Sequence, residues 1–247
     1  MTRVEGLWPH NISPNRLAVL ECKLAIWLRS QGLKSEVKVE NLQVLTQKAA
    51  AAGVDFSQLQ NQIKTIIEAK TENLLELADF VGLNPLEDFA GARLLGVNLT
   101  GLDLSGAELK GAYLRGSDLS DADLSNADLQ EVNLSGADLS GALLSDANLT
   151  QADLHRASLA LANLSGANLT QANLTEANLS NCNLSNCNLS HAILKNTNLN
   201  QAGLALTNLT GADLTGANVK QARMWHDGGL SEQVKQDLIK RGAIFEE

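Results

Sequence analysis

Leucine stands at every fifth position from Leu94 to Leu214, 25 times in succession, and Val219 and Met224 carry the register on. Two places before each of these lies a small or modest residue, such as Ala107, Ala122, Ala137, Ala172 and Ala212, with Ser117, Cys182, Cys187 and Thr197 among the variants. Asp, Asn, Ser, Thr and Gly fill most of the remaining positions, so the unit reads A(D/N)LSG from Ala92 to Met224 without insertion. A regular helix cannot use this pattern. At about 100° per residue, successive leucines would fall roughly 140° apart, and Asn, Ser and Gly disfavour helix. A straight strand fails as well, because inward residues would recur at every second position, whereas here the order is in, out, in, out, out. Two successive outward residues demand a corner. The pattern therefore predicts a chain that turns every five residues and winds about a common axis, each coil hydrogen-bonded to the next through its backbone.

The flanks follow another period. Apolar residues predict helices over Asn15–Ser30, Val39–Ala52 and Ser57–Val81, with Pro14 near the first turn of the first, Gly53 ending the second and Gly82 with Pro85 ending the last. Beyond the glycine turn at Gly228 and Gly229, Ser231–Lys240 reads as one further helix with Ser231 as its N-cap. An open coil exposes unpaired edges and a row of leucines at each end, so both flanks are expected to act as covers. The division is thus 1–89 helical, 90–226 repeat and 227–247 C-terminal cap. The N-terminal segment is far longer than covering one end requires, which points to self-association or partner choice. Trp8 and Trp27 are expected in the helical core, and Trp225 beneath the C-terminal helix.

The run AELKG AYLRG SDLSD ADLSN ADLQE, residues 107–131, resembles the pentapeptide-repeat family common in cyanobacteria. The resemblance implies an α+β chain whose repeat forms a right-handed quadrilateral parallel β-helix, a pentapeptide-repeat solenoid with four pentapeptides per coil. The Leu and the small residue before it would point inward. Twenty-seven pentapeptides would then make about 6.75 coils and a rod of roughly 32 Å.

Composition sharpens this picture. Aromatics are 3% of the residues, too few for an ordinary mixed core, and the net charge of −9 disfavours direct nucleic-acid binding. No run of 18 apolar residues occurs and the first residues lack the apolar stretch of a secretory signal, so membrane binding is not expected and a cytoplasmic location is. Cys22, Cys182 and Cys187 give neither a disulfide framework nor metal-ligand spacing. His10, His155, His191 and His226 are scattered, and Gly101, Gly106, Gly111 and Gly116 recur as corner residues, unlike a phosphate loop. The expectation is a protein without cofactor, metal or catalytic residues, acting as an interaction or scaffold module. Its anticipated partner is another protein, with homo-oligomers through the N-terminal helices as a further option.

Two surface features stand out. Between Asp103 and Asp153 lie ten acids against Lys110 and Arg115, whereas Leu154 to Met224 holds two acids and four bases. Some pentapeptide-repeat proteins imitate DNA and bind type II topoisomerases, so Asp118, Asp123, Asp128 and Asp138 form a candidate acidic face and the alternative function. The second feature is apolar. Leu143 and Ile193 replace the Asp or Asn before the central Leu, and Leu161 and Leu206 replace the Gly, Asn or Asp of a corner. These four form the candidate interaction surface.

Overall fold

A computed structural model describes residues 11–30, 57–225 and 228–246 of the chain. Among the described residues, the helices α1 (Pro14–Ser30), α2 (Ser57–Glu68) and α3 (Leu74–Asp79) precede the repeat, and α4 (Glu232–Lys240) follows it. The helix expected over Val39–Ala52, its terminator Gly53, and Trp8, His10 and His226 lie outside the described residues.

In the repeat, every parallel bridge joins a residue to the one 20 positions on, from Arg93↔Tyr113 to Asn198↔Asn218. One coil is therefore four pentapeptides. Each side is so short between its corners that only one residue bridges, and a regular strand appears only near the end, where β1 (Gly203–Leu204), β2 (Arg223–Trp225) and β3 (Ile244–Glu246) form a parallel sheet.

The pentapeptide Ala137–Gly141 shows why the sequence repeats as it does. The Ala137 amide donates to Leu134 O across the corner at 3.0 Å, that of Asp138 to Ser117 O one coil back at 2.9 Å, and those of Leu139 and Gly141 to Ser158 O and Ala160 O one coil on at 2.7 and 2.9 Å. The fifth amide, on Ser140, has no backbone acceptor within its coil, and Asp138 Oδ1 accepts it at 2.9 Å. Asp or Asn before the leucine is thus an Asx acceptor that completes the satisfaction of every N–H in the unit. The second corner residue lies at positive φ throughout, as the third position of a type II turn requires, whether glycine (Gly136, φ 65°) or not (Glu131, φ 56°).

Inside, Leu99 to Leu209 and the small column from Ala107 to Ala202 are almost wholly buried. Hydroxyls admitted to that column remain satisfied, because Ser117, Thr197 and Thr207 each donate to the carbonyl 23 residues back at 2.7–2.8 Å.

At the N-terminal end no coil of the described residues lies beneath Asn98, and a side chain takes its place. Asn15, buried on α1, accepts the Asn98 amide at 2.8 Å and donates to the Asn98 carbonyl at 3.0 Å, reproducing the two bonds that Asp118 makes to the coil beneath it, with Val97 O and the Leu99 amide. The helix expected over Ser57–Val81 is two helices. Arg16 draws the carbonyls of Ile67 and Ala69 to its guanidinium at 2.6 and 2.7 Å, and Asn73 caps α3 by accepting the amides of Leu75 and Glu76. Those local acceptors and donors satisfy the groups that a continuous helix would have paired.

At the far end Arg241 donates to Leu214 O and Ala217 O at 3.2 and 2.9 Å, while Gly228 and Gly242 carbonyls accept the amides of Leu209 and Gln221. Ser231 caps α4 as the sequence predicts. Trp225 differs from expectation. Strand alternation in β2 sends Met224 into the core and Trp225 outward, 44% exposed, with its indole N–H donating to Glu246.

Candidate functional site

Numbering the four sides by their leucines, side 1 carries Leu114 and Leu134, side 2 Leu119 and Leu139, side 3 Leu124, Leu144 and Leu164, and side 4 Leu129 and Leu149. Asp118 and Asp138 bridge one another on side 2, Asp123 stands on side 3, and Asp128 on side 4. Three of the four candidate acids therefore meet around the corner between sides 2 and 3. Two others join them there. Asp103 lies one coil below Asp123, and Asp121 occupies the corner itself. Their common signal is a residue number counted modulo 20, which only the closed coil makes meaningful.

These carboxylates are turn formers first. Asp118 Oδ1 accepts the Ser120 amide at 3.0 Å and its hydroxyl at 2.6 Å, and Asp103 holds Ser105 in the same way. The hydroxyl bond, then the amide bond, draws both carboxyls below their ordinary value, so both are ionised at neutral pH. Among the described residues, no base lies within 4.0 Å of any of the five acids at this corner. The opposite corner differs, for there Lys110 sits 3.9 Å from Glu131.

Directly beyond the acids come two of the candidate leucines. Leu143 bridges Asp123 on one side and Asn163 on the other, and is 43% exposed. Leu161 stands at the corner entering side 3 one coil on, 70% exposed, with φ 64°. A leucine held in the left-handed region and also in water carries two costs and recovers neither by packing. Leu161→Gly is expected to raise stability by about 0.5–1 kcal/mol, read as a higher midpoint in urea; a lower midpoint would show that the side chain packs usefully. Leu206, φ 58° and 57% exposed, lies at the other edge of side 3 two coils further on. Ile193 belongs to side 1, across the rod. The four candidates are one adjacent pair and two separate residues.

Residues 88–225 match the family model of pentapeptide repeats, in eight copies. The chain belongs to the pentapeptide-repeat family. No curated protein matches it. Among solved structures, QnrB1, a plasmid-mediated fluoroquinolone resistance protein, is similar at 20% identity, covering 63% of this chain and 90% of its own, with a TM-score of 0.44. HetL, a pentapeptide repeat protein involved in heterocyst differentiation regulation from the cyanobacterium Nostoc sp. strain PCC 7120, is 28% identical over 55% of this chain and 90% of its own, TM-score 0.28. The pentapeptide repeat protein Rfr23 from the cyanobacterium Cyanothece 51142 is 35% identical over 60% and 94%, TM-score 0.30.

Elsewhere the pentapeptide-repeat rod and its helices offer a cleft of about 360 Å³ between α1 and the first coil. Glu21 and Arg93 line it 3.7 Å apart, burial raising the Glu21 carboxyl against the pull of Arg93. Cys22, also there, donates its thiol to Asp88 O at 3.2 Å, and burial, with Asp88 second, pushes it up to about 12. Burial likewise raises Cys187, to about 12, and Cys182 in the small inward column. Thiols held protonated are poor nucleophiles. His155 Nδ1 lies 3.0 Å from Thr175 O, and the His191 ring covers Gly211. Among the described residues no three metal-ligating side chains gather, and no helix is long and apolar enough to cross a membrane.

Proposed function

We propose that this pentapeptide-repeat protein is a non-catalytic interaction scaffold. On this reading a right-handed quadrilateral rod presents a docking surface, and the N-terminal helices contribute partner choice or self-association. The supporting observation is the pair Leu143 and Leu161, exposed in adjacent coils where the repeat mostly places polar residues or Gly. Affinity capture from lysate of the source cells, with the full chain against Leu143→Asn/Leu161→Asn, tests it. A protein retained by the native chain and lost from the variant is expected; identical retention by both would sink the proposal.

The second reading, a DNA imitation directed at a type II topoisomerase, draws support from the acids gathered at one corner. Asp103 to Asp138 spans about two coils, roughly 10 Å, which matches only about three base pairs of duplex. That length favours the scaffold. Inhibition of supercoiling that disappears when Asp118, Asp123, Asp128 and Asp138 are changed to Asn would reverse the order.

A further inference from the structure

Leu143 and Leu161 do not stand on a neutral surface. Along the corner column run Gly101, Asp121, Gly141 and Leu161, and along side 3 run Asp103, Asp123 and Leu143, so acids occupy the lower coils and leucines the next ones. The Asp121 carboxylate leans over Gly141, immediately beneath Leu161. On side 2, Asp118 and Asp138 complete the acidic flank, and Ala160 replaces the usual Ser or Thr beside Leu161.

We propose that this corner docks a cationic amphipathic segment of a protein partner. An apolar side chain of that segment would sit on Leu143 and Leu161, with its lysines or arginines over the carboxylates below. The proposal rests on the scaffold reading and specifies the chemistry of the partner. Charge supplies the first argument. Five carboxylates with no base of the described residues within 4.0 Å make a field that attracts cations and repels phosphate, so nucleic acids and anionic lipid surfaces are disfavoured. Acids alone would hold any cation loosely, whereas the leucine step beside them selects one that also carries an apolar residue. Dimensions supply the second argument. Coils repeat at about 4.8 Å and an α-helix at about 5.4 Å per turn, so a helix lying along the corner sets one basic residue opposite each coil's carboxylates.

Fluorescence anisotropy with three labelled 15-residue peptides tests this: an amphipathic Leu/Lys helix, its Leu/Glu counterpart and its Ser/Lys counterpart. The protein is used as the full chain and as three variants, Leu143→Asn/Leu161→Asn, Asp118→Asn/Asp121→Asn/Asp123→Asn, and a far-side control, Glu108→Gln/Asp128→Asn/Glu131→Gln, with the same charge change. Asn already fills equivalent positions in this rod, and circular dichroism verifies that each variant folds. The Leu/Lys peptide should bind the native chain about tenfold or more tighter than either counterpart, and lose about tenfold on each near-corner variant while changing less than about twofold on the control. Equal losses on the near and far acid variants, or unchanged binding to the leucine variant, would overturn the docking site. A captured partner that depends on the leucines but not on the near-corner acids would leave the scaffold standing and remove the cationic segment. Loss of leucine dependence in the capture experiment would remove the scaffold itself.

Discussion

Leu139→Asp is expected to leave no cooperatively folded protein. Leu139 is wholly buried at mid-rod, and truncating such a side chain even to alanine costs about 2–5 kcal/mol. A carboxylate there also loses its hydration and finds no donor, because the surrounding amides already serve the coil-to-coil bonds and the Asx acceptor. Burying that unpaired charge adds several kcal/mol, and the sum is comparable with the whole stability of an ordinary domain, about 5–15 kcal/mol. The neighbouring position provides the contrast. Asp138 is an aspartate already and strengthens its corner, so the same residue is stabilising at one position and ruinous at the next. Recovery in the insoluble fraction, or a far-UV spectrum without a thermal transition, is the expected readout. A soluble variant melting within a few degrees of the native chain would show that this leucine column does not face inward.

Asn15→Leu is the second large effect. The substitution keeps the branched heavy-atom skeleton of the side chain on α1 but removes the amide that serves Asn98 in place of a coil beneath it. Two backbone groups at the base of the rod then lose their partners, at about 1–3 kcal/mol each when buried, together with the Asn15 bond to Glu72 O at 2.8 Å. A loss of about 2–4 kcal/mol is expected, seen as a lower denaturation midpoint and faster amide exchange at Asn98 than at Asp118 one coil above. Asn15→Gln, which retains the amide on a longer stem, should recover part of it. Unchanged exchange at Asn98 in Asn15→Leu would mean that water serves the ladder end equally well.

The two predictions mark how far the sequence carries. Placing Leu139 inside needed only the period of five, since a residue recurring in that register has one orientation relative to its corners. The N-cap at Ser231 and the helix over residues 15–30 were equally legible, being decided by neighbours within a turn or two. The break between α2 and α3 was not, because Arg16, more than 50 residues away, helps to hold it. Nor was Asn15, which reads as an ordinary helix-start residue and becomes a ladder end only when Asn98 is brought against it. The outward turn of Trp225 likewise follows from pairing of β2 with β1 and β3, strands that lie 20 residues or more apart in the chain.

The candidate site divides in the same way. Leu143, Leu161, Leu206 and Ile193 were visible as breaks in a repeat, and the acids as a run of charge, because composition at each register position is a local property. Which of them are neighbours depends on the number of sides in a coil, and five-residue periodicity contains no such number. Bridges at 20-residue spacing close the coil, bring Asp103, Asp118, Asp121, Asp123 and Asp138 to one corner beside Leu143 and Leu161, and send Asp128 and Ile193 to other sides. The sequence by itself determined which columns of the repeat face inward and which face outward, since that alternation is set within five residues. Only the tertiary structure decided which exposed residues share a surface, because that adjacency is created by hydrogen bonds between one coil and the next.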